Sequence, residues 1–223
     1  MKYNFESLKH TPLFYNLQDK EISSLLECMG SVFRIFQKEE FIVRAGDPAG
    51  SVGILLSGRA QIFRENMAGE RNMLAEIREG DLFAEAFACA GIEILPVSVY
   101  ALEKSEVLLL DIKKILSVCS LSCPFHTLFI ENLLKVLARK NIGLNKKIHH
   151  ISHRTLREKV LSYLEEQALQ AGNSSFYIPF DRQALADYLC ADRSALSREL
   201  SKMQNDGIIE YKRNYFILKY GNP

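Results

Sequence analysis

Residues 180–209 admit few folds. Read at a helical period, Leu185, Ala186 and Leu189 make one apolar face, and Cys190-Ala191 then interrupts it. Asp192 is an N-cap residue type. Leu196, Leu200 and Met203 line the inner face of a second helix, which Gly207 ends. Two short helices with a sharp break between them make a helix-turn-helix. The outer face of the second carries Arg193, Ser194, Ser197, Arg198 and Lys202. Arginine at a helix N-terminus can reach guanine edges in a major groove, and hydroxyls can reach bases or phosphates. The alternative is a helical hairpin whose charged face is merely solvated.

Charge does not decide between them. The 223 residues carry a net charge of +1, so no global field draws the chain to nucleic acid. From Ser152 to Tyr220, 10 Lys and Arg stand against 9 Asp and Glu. Any DNA binding must therefore come from local placement of charge.

The neighbours of this segment are more informative. Residues 5–29 have apolar positions at helical spacing, including Leu13, Phe14, Leu17, Ile22, Leu25, Leu26 and Met29. From Ser31 to Asp111 the pattern changes to short β-branched and aromatic runs. These are 32–36, 40–43, 52–56, 60–64, 73–77, 97–101 and 107–111, with 83–90 a short Ala-rich helical insert. Gly46, Gly58, Gly69 and Gly80 recur every 11 or 12 residues between them. Short strands with regular glycine turns predict a double-sheet roll or jelly roll.

Beyond Pro124 a helical pattern runs from Phe125 to Ile151. Ile130, Leu134, Leu137, Asn141, Leu144, Ile148 and Ile151 fall at alternating spacings of 4 and 3, a heptad seam. Asn141 sits inside the seam, where a polar residue fixes register and two-strandedness. A helix of this length spans about 40 Å, more than one small domain needs. The pattern predicts a homodimer, the alternative being a helix packed on its own domain. Residues 148–152 read as a hinge. A further helix with Leu156, Val160, Leu161 and Leu164 follows, then a strand at 176–179. Strands at 208–211 and 215–218 flank Lys212-Arg213-Asn214, in the place of a wing.

Helical cap, glycine-punctuated roll, long helix and winged helix-turn-helix together resemble the cyclic-AMP receptor protein / fumarate-nitrate reductase regulator (CRP/FNR) family of bacterial transcription factors. The resemblance spans essentially the whole chain. It is carried by Ala45-Gly46-Asp47-Pro48, Leu55-Leu56-Ser57-Gly58, Gly80-Asp81-Leu82-Phe83-Ala84-Glu85 and Ser194-Ala195-Leu196-Ser197-Arg198-Glu199-Leu200. It implies an α+β chain in three parts. A double-stranded β-roll, a cyclic-nucleotide-binding-like jelly roll, serves as sensor over 1–122. A dimerisation helix with its hinge covers 123–151, and a winged helix-turn-helix covers 152–223.

The resemblance further implies a homodimeric, cytoplasmic regulator of double-stranded DNA that is not an enzyme. It implies RNA polymerase as partner if the protein activates. Its DNA contacts would come from Arg193, Ser194, Ser197 and Arg198, with Lys202 alongside and Arg182 on phosphate. An effector would sit among Gly80, Asp81, Leu82, Phe83, Glu85, Leu95, Pro96 and Val97, with Asn141 close by.

Two departures from the family pattern matter. The family holds its cyclic phosphate with an Arg-Ser or Arg-Thr pair, and the matching place here reads Ile94-Leu95-Pro96-Val97, with no arginine between Arg78 and Arg139. A buried anion without cation or N–H donors is costly, so no cyclic-nucleotide binding is expected. An apolar effector or a collapsed pocket remain the two alternatives. Cys190 occupies a turn position where the family usually has glycine, and a left-handed backbone or a shifted turn is expected there. Cys190 next to the DNA face is also a candidate redox position.

No cofactor or metal site is expected. There is no cysteine before Cys28 to supply an iron–sulfur cluster, and no His between His10 and His126. That absence also excludes a cupin-type enzyme, which needs His ligands on its strands. Cys119, Cys123 and His126 are candidate soft ligands, and the pair His149 and His153 could chelate a metal or respond to pH at the hinge, each set with a plainer reading as unrelated polar residues. The N-terminus has no apolar signal core and no run of 18 apolar residues exists, so neither a signal peptide nor a membrane span is expected. The rival to a DNA-binding regulator is a small-molecule, redox or haem sensor module whose C-terminal domain binds protein.

Overall fold

Val52-Gly53-Ile54-Leu55-Leu56 is apolar without alternation because its strand is covered on both faces. In the computed structural model, which describes residues 5–66, 68–116 and 124–219, this strand is β3 (Ser51–Ser57), inside a four-stranded antiparallel sheet. The other members are β1 (Val32–Phe36), β8 (Ser105–Asp111) and β6 (Leu82–Phe83), in the order β1-β8-β3-β6. A second antiparallel sheet is ordered β2-β7-β4-β5, from β2 (Phe41–Val43), β4 (Ala60–Glu65), β5 (Arg71–Ile77) and β7 (Ser98–Ala101).

Alternate residues of a strand face opposite ways, and the first sheet divides its apolar residues accordingly. Leu55, Val107 and Phe83 meet Ile42, Ala60, Ile77 and Val99 between the two sheets. Val52, Ile54, Leu56, Leu108 and Leu110 face outward onto helices. Those helices are α1 (Phe5–Lys9), a 3-10 turn at Pro12–Phe14, α2 (Asp19–Cys28), and the start of the long α5 (Pro124–Ser152). Gly53 is needed inside the roll. The Phe83 ring of the paired strand occupies the space where a Cβ would stand, with its nearest atom 2.1 Å from that position.

Two short helices complete this part, α3 (Glu85–Cys89) and α4 (Ile112–Leu116). Phe83 had been expected to begin the inserted helix and is instead the last residue of a strand. Ala84, which starts α3, has φ 60.

The chain divides into two compact units, Met1–Ala138 and Arg139–Pro223. The helix α5 (Pro124–Ser152) supplies residues to both. Its first half buries Phe129, Leu133 and Val136 against the N-terminal helices. There the buried Asn132 amide donates to the carbonyls of Leu13, at 3.1 Å, and Tyr15, at 2.9 Å. The heptad positions lie mostly on another face. Leu134 and Leu144 are 61% exposed and Ile148 is 58% exposed, while Ile130 and Leu137 flank the roll's outer core. Asn141 is exposed and accepts a hydrogen bond from Asn145 at 2.9 Å.

The break expected at 148–152 comes later. Helix α5 runs through Ser152, and 153–155 form the turn. The position is set by a capping box. Glu158 N–H donates to the Thr155 hydroxyl, and Thr155 N–H to the Glu158 carboxylate, at the start of α6 (Leu156–Ala171). The second unit then continues with β9 (Ser175–Tyr177), α7 (Arg182–Tyr188), α8 (Arg193–Asn205), β10 (Ile209–Lys212) and β11 (Tyr215–Leu218). Its antiparallel sheet is ordered β10-β11-β9. Among the described residues no helix is long and apolar enough to cross a membrane.

Candidate nucleic-acid interface

The scaffold of the interface is a locked pair of helices. Asp181 caps α7, its carboxylate accepting from Ala184 N–H at 2.8 Å. Leu185, Ala186 and Leu189 are fully buried. The chain then turns through Cys190, whose φ is 52, the left-handed backbone of the two alternatives for this turn. The Ala191 N–H, donating to the Ala186 carbonyl at 2.9 Å, closes the turn. Asp192 then caps α8 by accepting from Ser194 N–H at 2.8 Å and Ala195 N–H at 2.9 Å. Hydrogen bonds from Ser194 and Ala195 hold its carboxyl below the usual aspartate value, so it stays ionised beside the helix N-terminus.

The inner face of α8 buries Leu196, Leu200 and Met203. Arg157 of α6 fixes its azimuth, its guanidinium lying 2.7 Å from Glu199 and 2.7 Å from Asp206. Arg193, Ser194, Arg198 and Lys202 are exposed and Ser197 is half-buried, all on the opposite face.

The two serines contribute less than their position suggested. The Ser194 hydroxyl donates to Asp192 at 2.5 Å, and that of Ser197 donates to the Arg193 carbonyl at 2.9 Å. Both hydroxyl protons are committed, so a phosphate oxygen finds no donor there without a rotation. The exposed cations Arg193, Arg198 and Lys202 supply the charged donors on this face.

A basic cleft of about 740 Å³ lies beside the start of α8, lined by Pro179, Arg182, Gln183, Arg193, Arg213 and Asn214 among others. Arg182 is half-buried, its guanidinium 5.0 Å above the Tyr211 ring. Burial lowers its pKa, and the neighbouring Arg193 charge adds to that effect. Arg213 stands at the tip of the β10–β11 hairpin with φ 58. It was missed as a site residue. The signal was present, since the basic pair Lys212-Arg213 at a two-residue turn between strands puts a cation at the tip of a wing.

The residues expected to form an effector pocket do not share one wall. Leu82 joins the outer core with the helices, whereas Phe83 fills the roll interior, because adjacent strand residues face oppositely. Gly80 and Asp81 form a turn tied to Leu55 by two backbone hydrogen bonds of 2.8 and 3.0 Å. Glu85, Leu95 and Val97 are buried, Pro96 is half-buried, and Ile94 is 58% exposed. Beside Pro96, Leu95 N–H donates to the Asp47 carbonyl at 2.9 Å. The Leu95 carbonyl accepts from Gly46 N–H at the same distance.

Cys119 and Cys123 lie outside the described residues. His126 is buried, its Nε2 2.8 Å from the Ile115 carbonyl. The rings of His149 and His153 meet edge-on at 5.3 Å. No group of three metal-ligating side chains occurs among the described residues. Cys190 is exposed.

Residues 33–122 match the family model of the cyclic nucleotide-binding domain, and residues 158–220 match that of the Crp-like helix-turn-helix domain. The chain is 25% identical over 202 residues to the cyclic AMP receptor protein of Thermus thermophilus, covering 91% of this chain and 89% of that protein. It is 26% identical over 192 residues to the transcriptional activator protein anr of Pseudomonas aeruginosa, covering 79% and 72%. The solved structure of the c-di-GMP responsive global regulator CLP of Xanthomonas campestris shares the fold. Its TM-score is 0.55 at 19% identity, over 92% of this chain and all of that one.

Proposed function

This chain belongs to the CRP/FNR family of transcription regulators with a DNA-binding helix-turn-helix, and from that premise we propose that it is a cytoplasmic homodimer that reads a roughly palindromic DNA site. Its control is by an effector other than a cyclic nucleotide. The observation that supports the reading best is α8. It is capped, pinned from behind by Arg157, and presents Arg193, Arg198 and Lys202 outward. Arg193 and Arg198 are the base readers in this reading, and Arg182, Arg213 and Lys202 hold phosphates. Ser194 and Ser197 act by accepting or by packing. The exposed Leu134, Leu144 and Ile148 form the seam with a second copy, together with Ile130, Leu137 and Asn141. RNA polymerase is the partner if the regulator activates. The sensor is read as 1–122, the dimer helix as 123–151 and the DNA-binding domain as 152–223.

The test is selection of bound fragments from a genomic pool by the purified full chain, followed by sequencing. Two inverted half-sites about 34 Å apart, one helical turn, are expected. Retention without sequence enrichment, or enrichment of a single half-site, overturns the reading.

The effector part rests on the roll. A cyclic phosphate needs a cation or free N–H donors. At the corresponding place stands the exposed Ile94, and the Leu95 N–H is occupied. Calorimetric titration with cyclic AMP and cyclic GMP is expected to give no binding heat, and micromolar binding of either would sink this reading.

A further inference from the structure

The last two turns of α5 carry a cluster that the DNA-reading face does not use. His150 is only 2% exposed. Its Nδ1 lies 2.9 Å from the Tyr188 hydroxyl on α7, and its Nε2 lies 2.8 Å from the Glu166 carboxylate on α6. The Nε2 contact is close enough for an ion pair but not aligned as a hydrogen bond. Glu166 also takes the Lys146 ammonium from α5 and the Gln170 amide, the latter at 2.7 Å. Around the imidazole the surroundings are aromatic. Tyr163 meets it edge-on at 5.6 Å, and Tyr163, Phe180 and Tyr188 pack on one another at 5.1 to 5.9 Å. The Tyr163 hydroxyl is buried there without a hydrogen-bond partner.

We propose that His150 is a proton-operated latch joining the end of α5 to α6 and α7: the neutral imidazole holds it closed, and protonation loosens it. With hydrogen on Nε2, facing Glu166, the lone pair of Nδ1 accepts from the Tyr188 hydroxyl. Proton uptake puts hydrogen on Nδ1 as well. Tyr188 can then only accept, and its own proton points into an aromatic surround.

The charges facing His150 can be named from each side. From α5 come Lys146, Lys147 and His149, with Lys147 5.5 Å from the Tyr188 ring. From α6 come Glu166 and Tyr163, from α7 comes Tyr188, and His153 follows in the turn. Burial is the largest influence and disfavours the imidazolium. Glu166 opposes that, while His149 and Lys146 add to it, and the balance lowers the His150 pKa. Burial also works to raise the Glu166 carboxyl, but the Lys146 hydrogen bond and charge outweigh it and hold Glu166 below its ordinary value. Glu166 therefore stays ionised while His150 titrates. A histidine whose folded pKa is depressed stabilises above its ordinary value of about 6.5, and that contribution is lost as pH falls through 6.5 toward the folded value.

The latch itself stands on the geometry of these three helices. Its bearing on DNA rests on the reading of α8 and the seam given above. The experiment is hydrogen–deuterium exchange of the full chain at pH 7.5 and 5.5, corrected for intrinsic rates. Amides 146–152 and 182–188 are expected to lose protection by about threefold or more on acidification. In His150→Gln the two pH values should give the same corrected protection.

Unchanged protection in the wild type, or a loss that persists in His150→Gln, overturns the latch. Should that variant not fold, imidazole titration by NMR in Tyr188→Phe serves instead. Removing the hydroxyl that donates to neutral Nδ1 should move the His150 titration to higher pH, and an unmoved titration overturns the proposal equally. Parallel measurement of DNA affinity separates the two readings, since a latch that opens as expected in a chain that binds no DNA at either pH overturns the DNA reading alone.

Discussion

The roll and the helix-turn-helix use one local device in two settings. Each enters a helix near a non-glycine residue in left-handed backbone, Ala84 at φ 60 before α3 and Cys190 at φ 52 before α8. After Cys190 the chain meets Asp192, which caps the helix beside a cleft lined by Arg182, Arg193 and Arg213, with the Arg198 charge acting on its carboxylate. After Ala84 comes no capping side chain, a five-residue helix, and a segment in which the Ile92 and Leu95 N–H groups already donate to backbone carbonyls. Both regions match their family models in backbone, but under the reading proposed above only the helix-turn-helix keeps the side chains that its ligand needs. Backbone is specified by apolar pattern and turns, which many side-chain sets satisfy, whereas ligand binding depends on a few polar groups that can be lost with the fold intact.

The largest effect that could break this comparison is a cavity in the roll. Phe83 fills the space above Gly53, and Phe83→Ala should cost about 3–5 kcal/mol of roll stability. If the two units carry their properties separately, calorimetry should show one transition moving down and the other staying. A common shift of both would mean that the comparison treats one cooperative body as two.

Base reading and charge should separate next. Arg198→Ala should cost about 1–3 kcal/mol of specific DNA binding and relax discrimination at one position of the half-site. Arg213→Ala should weaken all sequences alike and reduce the salt slope by about one. Binding isotherms at several salt concentrations, on site and off site, distinguish them. Equal loss on every sequence for Arg198→Ala would remove it from the readers.

Most of the backbone was legible in the sequence. Glycines at 46, 58, 69 and 80 bounded strands, and the 3.6-residue period gave α5, α7 and α8, because turns and apolar faces are local properties. The left-handed Cys190 was half legible, since the family's usual glycine there left either a left-handed backbone or a shifted turn, and the backbone is left-handed. What was not legible depended on partners distant in sequence. The α5 break was expected at 148–152 but follows the Thr155–Glu158 box, and His150 within that stretch makes a buried contact with α6 and α7. Leu82 and Phe83 looked like neighbours on one pocket wall until pairing with Gly53 and Ile54 sent them to opposite faces. Ser194 and Ser197 looked like free hydroxyls, but each lies within reach of a nearer acceptor. Arg213 was visible only as a turn residue, and its place in the cleft came from the hairpin folding beside α8.

The smallest expected effect tests the shared device itself. An L-residue in left-handed backbone costs roughly 1–2 kcal/mol relative to its favoured regions, and glycine removes most of that while adding freedom to the unfolded chain. Cys190 is exposed and loses almost no packing, so Cys190→Gly should stabilise by a few tenths to about 1 kcal/mol. Ala84 is half-buried against the roll interior, and deleting its methyl gives up about 0.8 kcal/mol of burial. Ala84→Gly should therefore come out near zero. Denaturant midpoints for the two variants should rank Cys190→Gly above Ala84→Gly. The reverse order would mean that the helix-turn-helix turn holds Cys190 without strain, so that the thiol and not the backbone is what that position supplies.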